Sequence, residues 1–264
     1  MKRWATGVVA VPVLIGIIAY GPEAVFTLLI ASVTVVGMAE YNAMAFGRGF
    51  RREKVVTFAV ALLIMTAAAA GDRILLLAIL SLAVMAILIL NLLRIDDEGP
   101  DMARVGKVIV GIMYIPLLMS HFISIRQTSN GILWVFFILV LAFSGDIAAY
   151  YTGRRWGRRK LLPGVSPGKT VEGTIGLVVG SIAGALLFRQ LLLPALPVPH
   201  AVALGLVGSV VGQLGDLCES ALKRTAGVKD SGAMLPGHGG ILDRLDCLMF
   251  IAPFVYYYRV FVIR

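Results

Sequence analysis

Nine stretches of mostly apolar residues follow one another along the chain, at about 4–20, 22–42, 55–71, 74–93, 106–125, 131–151, 173–193, 199–219 and 241–260. A run of about 20 such residues crosses the hydrocarbon of a bilayer as an α-helix. In lipid every backbone N–H and C=O has to be satisfied within the protein, so only helices and closed barrels are available. These runs are too long and continuous for barrel strands. The chain has 264 residues, of which 59% are hydrophobic and only 15% charged. A soluble domain carries about 25% charged residues. The expectation is an all-α polytopic integral membrane protein of about nine transmembrane helices, the third of them short and Ala-rich. Met1-Lys2-Arg3 and the apolar run after it resemble a signal peptide. No small-residue cleavage site follows, so this segment reads as a retained first helix.

The charges give a second, independent constraint. With the N-terminus in the cytoplasm, the cytoplasmic loops collect 19 of the 24 Lys and Arg residues: two at the N-terminus, four at 48–54, three at 94–107, six at 154–169 and four at 223–244. The opposite side keeps five, Arg73, Arg126, Arg189, Arg259 and Arg264. This is the positive-inside distribution for an odd number of spans and a cytoplasmic N-terminus. The net charge of +9 therefore sits in short loops between apolar runs, not on a soluble basic face, which excludes a nucleic-acid binder. Cys218 and Cys247 each lie in an apolar segment and read as buried, inert thiols, neither a disulfide nor a zinc site.

Polar residues are distributed unequally. Residues 1–125 read as a transmembrane scaffold, with Glu40 expected to snorkel toward the cytoplasm. Residues 126–264 read as a catalytic region with cytoplasmic loops at 152–172 and 220–242. No internal repeat is visible, so a transporter of inverted halves gains no support.

The first polar stretch runs from Asp146 to Gly173. Asp146 lies inside an apolar span, where it has to pair, bind a cation or face water. The arginines at 154, 155, 158 and 159 suit a simple anchor on anionic lipid. Lys169 and Thr170, in Ser166-Pro-Gly-Lys-Thr, stand just before a helix start. There, free N–H groups and the dipole favour an anion, although an ordinary helix cap reads the same way. The second stretch places Asp216, Glu219, Ser220 and Lys223 on one helix face. Its acidic residues either pair with Lys223 and Arg224 or hold a cation. Beyond it, Ser220 to Asp246 contains four basic residues, three aspartates, one histidine and five glycines. Asp243 and Asp246 share a second helix face. Two acidic faces joined by a basic loop suit a hard divalent cation, whose remaining ligands are phosphate oxygens. Lys169, Lys223, Arg224 and Lys229 suit those phosphates, and His238 is a proton donor, a phosphate ligand or a loop hydrogen-bonder. His121 and His200 lie outside the cluster and read as structural.

At these residues the chain resembles the phosphatidate cytidylyltransferase (CDP-diacylglycerol synthase) family. The likeness covers Lys223-Arg224, Lys229-Asp230, Pro236, His238-Gly-Gly and Asp243-Arg-Leu-Asp246, with Asp146, Tyr150, Gly153, Gly157, Lys160, Ser166, Lys169, Thr170 and Glu172-Gly173 upstream. The resemblance implies transfer of the cytidylyl group of CTP to phosphatidate, with release of pyrophosphate. It also implies Mg²⁺, K⁺ as a candidate second cation, a homodimer, and a bacterial inner (plasma) membrane location with the site facing the cytoplasm. Asp216, Lys223, Asp243 and Asp246 are then the expected catalytic residues, the three aspartates as metal ligands. Asp146, Ser166, Lys169, Thr170, Ser220, Arg224, Lys229, His238 and Arg244 are the expected substrate contacts. A rival lipid enzyme, the CDP-alcohol phosphotransferase, is disfavoured because its Asp-Gly-x-x-Ala-Arg motif is absent.

Overall fold

The computed structural model describes residues 2–47, 49–93, 101–232 and 239–263, with side chains from residue 11 onward. Arg48, Arg94, Pro236, His238 and Arg264 lie outside the described residues. The order is α1 (Lys2–Tyr20), α2 (Glu23–Phe46), α3 (Arg51–Ala70), α4 (Arg73–Leu92), α5 (Met102–Ile112), α6 (Leu118–Arg126), α7 (Gly131–Trp156), β1 (Lys160–Leu162), β2 (Ser166–Thr170), α8 (Val171–Leu192), α9 (Val198–Thr225) and α10 (Leu242–Tyr258). Among the described residues eight helical segments are long and apolar enough to cross a membrane, α5 and α6 counting as the single segment Met102–Arg126. The protein is a polytopic all-α membrane protein.

The chain divides into two units, Met1–Gln127 with Ser231–Ile241, and Thr128–Asp230 with Leu242–Arg264. The N-terminal unit packs through bulky side chains: Phe26, Met38, Ile64, Ile115, Met119 and Ile123 are almost wholly buried. Polar pins fix its helices. Asn42 donates to Thr57 Oγ1 (2.8 Å), the Tyr41 hydroxyl donates to the carbonyl of Lys107 (2.7 Å), and the Arg126 guanidinium donates to the carbonyl of Gly21 (2.8 Å). Asp72 and Asp101 cap α4 and α5 by accepting the N–H groups of Leu75 and Arg104. A proline in a helix removes a donor and crowds the preceding turn. Here α5 widens into a π-turn over Met113–Leu117, which accommodates Pro116 before α6 begins. Glu40 departs from expectation. It is buried at 8% exposure and accepts hydrogen bonds from Ser231 and Ile241, so it does not reach for water.

The C-terminal unit combines a bulky core, with Phe137, Ile138 and Leu204 fully buried, with close helix contacts made by small residues. Along α8, Gly176, Gly180 and Gly184 face Thr152, Ala148 and Ser144 of α7 so closely that a methyl on any of them would collide. Small residues let helix backbones approach where lipid offers no hydrophobic drive for association. The same device recurs on α9: a methyl on Gly205 would lie 2.7 Å from Ile182 Cα, and one on Gly215 would lie 2.5 Å from the Asp246 carbonyl oxygen. Ser181 ties α8 to α7 through the Leu141 carbonyl (2.9 Å). His121 and His200 have the structural roles expected of them. His121 is buried against the Leu117 carbonyl, and His200 meets the Tyr258 hydroxyl at 2.9 Å.

Three details differ from the sequence reading. Helices α7 and α9 run on to Trp156 and Thr225, so 152–156 and 220–225 are helix, not loop. Arg154, Arg155, Lys223 and Arg224 lie in those last turns, where cations complement the helix dipole. The segment after α7 is an antiparallel hairpin, with Lys160 opposite Thr170 and Leu162 opposite Ser166. Finally, both cysteines are free thiols, but Cys218 is exposed because its face of α9 is uncovered within the chain.

Candidate active site

The hairpin is held in place before it carries any chemistry. The Glu172 carboxylate, in the first turn of α8, accepts the N–H groups of Arg158 (3.0 Å) and Arg159 (3.3 Å). Lys160 donates to the Pro167 carbonyl across the hairpin (2.7 Å), and Arg224 of α9 donates to the Val165 carbonyl at its tip (3.3 Å). The strand then delivers Lys169 and Thr170 to the start of α8. Thr170 is the N-cap and accepts from Gly173 N at 3.1 Å, so the cap reading of this motif is realised.

Lys169 reaches across to α9 and pairs with Asp216, Nζ to Oδ2 at 2.6 Å. Beside them is a cavity of about 450 Å³ lined by Asp146, Tyr150, Gly153, Arg154, Gly168, Thr170, Gly173, Thr174 and Gln213. Asp146 is exposed along its wall, so it borders an open space although it lies within the span of α7. Gln213 is buried at 8% exposure, one turn before Asp216. It donates to Thr174 Oγ1 at 2.8 Å, which leaves its Oε1 without a hydrogen-bond partner among the described residues.

One turn further along α9 the second cluster begins. Ser220 donates to Asp216 Oδ1 at 3.4 Å. Lys223, only 8% exposed, sits between Glu219 (2.5 Å) and Asp243 of α10 (2.6 Å). The local-pairing alternative for the acidic face of α9 therefore holds for Glu219. A buried cation between two carboxylates also fastens α9 to α10, because removing it would strand two buried charges. Asp246 lies one turn beyond Asp243, its Oδ1 accepting the Cys247 N–H at 2.8 Å. Asp216 is near enough to both Asp146 and Asp246 for its charge to repel theirs.

Asp146, Lys169, Thr170, Asp216 and Ser220 are thus brought together, with Lys223 and Asp243 joined one turn away. Ser166 begins β2, Arg224 is engaged with Val165 and Val228, and Lys229 and Arg244 are exposed. His238 is outside the described residues. Sequence reasoning named Tyr150 and Glu172 only within the family likeness, read Arg154 as a lipid anchor and gave Gln213 no role. For Gln213 a signal was present: a polar side chain one turn before Asp216 within an apolar run.

Residues 1–262 match the Cytidylyltransferase family. The chain belongs to that family. It is 43% identical over 183 residues to the phosphatidate cytidylyltransferase of Bacillus subtilis (strain 168), covering 68% of this chain and 65% of that protein. Identity to the uncharacterized protein YnbB of Escherichia coli (strain K12) is 41% over 169 residues, 62% of this chain and 56% of that one. With the phosphatidate cytidylyltransferase of Staphylococcus epidermidis (strain RP62A) it is 30% over 228 residues, 86% of each chain. The matched region thus spans less than two thirds of the length of the first two of these relatives.

Proposed function

We propose that this protein is a phosphatidate cytidylyltransferase, which transfers the cytidylyl group of CTP to phosphatidate and releases pyrophosphate. The observation that carries the reading is the cluster of carboxylates with half-buried Lys169 and buried Lys223, beside a cavity of about 450 Å³ between apolar helices. Membership of the family, and the names borne by the relatives in B. subtilis and S. epidermidis, support it.

A phosphate oxygen of phosphatidate attacks the α-phosphorus of CTP. The bond from that phosphorus to the α,β-bridging oxygen breaks, and pyrophosphate leaves in line. Because the attacking phosphate is already anionic near neutral pH, no general base is needed. The work of the protein is alignment and neutralisation of charge. Lys169, and the N–H groups at the start of α8 that Thr170 leaves uncapped, are placed for phosphate oxygens. Arg224, Lys229 and Arg244 offer further cations, Ser166 and Ser220 hydroxyl donors. Lys223 holds α9 and α10 together while presenting charge to the site, and Asp146 lines the space for the nucleotide or lipid phosphate.

The residues also suit a divalent cation. Among the described residues no three Asp, Glu, His or Cys side chains form an all-protein cage. Mg²⁺ does not need one, since it takes one or two carboxylates and completes its shell with water and phosphate oxygens. Its carboxylates would come from among Asp216, Asp243 and Asp246, Asp216 pairing here with Lys169 and Asp243 with Lys223. Bound there, Mg²⁺ would neutralise charge developing on the triphosphate. The excess of Lys and Arg on one set of loops supports a site facing the cytoplasm, and the family resemblance supports a homodimer in the inner membrane.

Two labelled nucleotides test the reading. Purified protein given phosphatidate and Mg²⁺ should move label from α-³²P-CTP into lipid and from γ-³²P-CTP into pyrophosphate. Hydrolysis of CTP without lipid labelling would overturn it.

A further inference from the structure

Glu40 lies in the last two turns of α2, in the half of the chain whose sequence reads as scaffold. A carboxylate in an apolar helix is costly unless something meets it. What meets Glu40 comes from about 190 to 200 residues further along the chain. Ser231 Oγ donates to Oε2 at 2.9 Å, and the backbone N–H of Ile241 donates to Oε1 at 2.9 Å. Two glycines close around the same group. A methyl on Gly232 would stand 2.5 Å from Oε1, and one on Gly240 would stand 2.5 Å from Oε2. Between Gly240 and His238, Gly239 has φ of 81°, a backbone conformation that side chains other than glycine rarely adopt.

These contacts come from both ends of one segment, 231–241. A single carboxylate therefore ties the two ends together, and it needs glycine at each end to be reached. The segment is the connection between α9, which carries Asp216 and Lys223, and α10, which carries Asp243 and Asp246. Its contacts group it with the N-terminal unit, although both helices it joins belong to the other. The Gly-Gly of His238-Gly-Gly acquires a physical reason: one glycine for the backbone angle, one for approach to Glu40.

We propose that Glu40 is a positioning residue, whose carboxylate joins Ser231–Gly232, on the exit from α9, to Gly240–Ile241, at the entry to α10, and so sets the connection between the two acid-bearing helices. It touches no substrate. The activity arm of its test rests on the transferase reading, and the structural arm does not.

Hydrogen–deuterium exchange over residues 228–242, in detergent, reads the clamp directly. Glu40→Ala should raise exchange of that segment at least tenfold, while segments in α7 and α8 stay within twofold of the parent protein. It should lower kcat/KM for CTP by about 10- to 100-fold. Glu40→Gln keeps an acceptor for Ile241 and lets the Ser231 hydroxyl turn, so it should retain at least a third of both protection and activity. Gly240→Ala should reproduce the alanine phenotype, and combining it with Glu40→Ala should add less than threefold. Unchanged exchange at 228–242 in Glu40→Ala, or an equal rise throughout the protein, would overturn the proposal. So would faster exchange with undiminished turnover, or a Glu40→Gln variant as impaired as Glu40→Ala. If the parent protein transfers no cytidylyl group, the transferase reading fails, and the exchange result alone upholds or overturns the clamp.

Discussion

Both units bury large side chains, but the helix-to-helix approaches made by glycine are concentrated in the C-terminal unit. The N-terminal unit buries Met38, Ile64, Ile115 and Ile123 at or near zero exposure, as the C-terminal unit buries Phe137, Ile138 and Leu204. In the C-terminal unit the closest approaches are made by glycine: Gly176, Gly180 and Gly184 against α7, Gly205 against α8, and Gly215 against α10. Large side chains hold helix axes apart and tolerate local adjustment. Glycine contacts bring backbones together and leave no room for adjustment, because a single added methyl collides. The unit with glycine contacts is also the one that holds Asp146, Lys169, Asp216, Lys223, Asp243 and Asp246. Groups that must align a phosphoryl-type transfer need positions fixed to within a fraction of an ångström. The glycine contacts of the C-terminal unit supply that.

The contrast can be broken at several points. The largest effect should come from Asp246→Asn, which keeps shape and removes one charge. Turnover should fall at least about a thousandfold, equivalent to about 4 kcal/mol in the barrier, with the thermal midpoint in detergent unchanged. Steady-state pyrophosphate release measures this, and turnover within threefold of the parent would remove Asp246 from the site. Next, Lys223→Met should lower both stability and turnover. It leaves Glu219 and Asp243 buried without their cation, at a cost of about 3–5 kcal/mol. Denaturation in mixed micelles would show it, and wild-type stability would contradict the bridging role.

Away from Glu40, changes in the N-terminal unit should separate stability from chemistry. Ile64→Ala leaves a cavity in a fully buried position, costing about 2–4 kcal/mol. The folded fraction should nonetheless turn over at the parent rate, as an active-site titration would reveal. A large fall in kcat would show that packing around α3, and not Glu40 alone, bears on turnover. Smallest of all, Leu77→Ala on the exposed face of α4 should change stability by less than about 0.5 kcal/mol.

The apolar runs were enough to foretell the helices, because length and hydropathy are local properties and lipid admits few alternatives. Their ends were less legible. Arg154 and Lys223 look like loop residues, yet a helix dipole welcomes cations in its last turn, so α7 and α9 extend past the apolar run. The candidate site was half legible. Aspartates and lysines out of place in an apolar chain announce themselves, and their spacing puts them on shared faces. Which carboxylate meets which lysine was not readable, because the Lys169–Asp216 and Lys223–Asp243 pairs depend on how α8, α9 and α10 pack. Glu40 was misread for the same reason: its partners lie 191 and 201 residues away, and nothing within α2 points to them.

The most direct test of the account uses sealed vesicles of defined orientation, given α-³²P-CTP, phosphatidate in both leaflets and Mg²⁺. CTP does not cross the bilayer, so inside-out vesicles should convert label into CDP-diacylglycerol, and right-side-out vesicles should do so only after permeabilisation. Label entering no lipid in either orientation, or entering it only from the outer face, would contradict a cytidylyl transfer site built at the cytoplasmic ends of these helices.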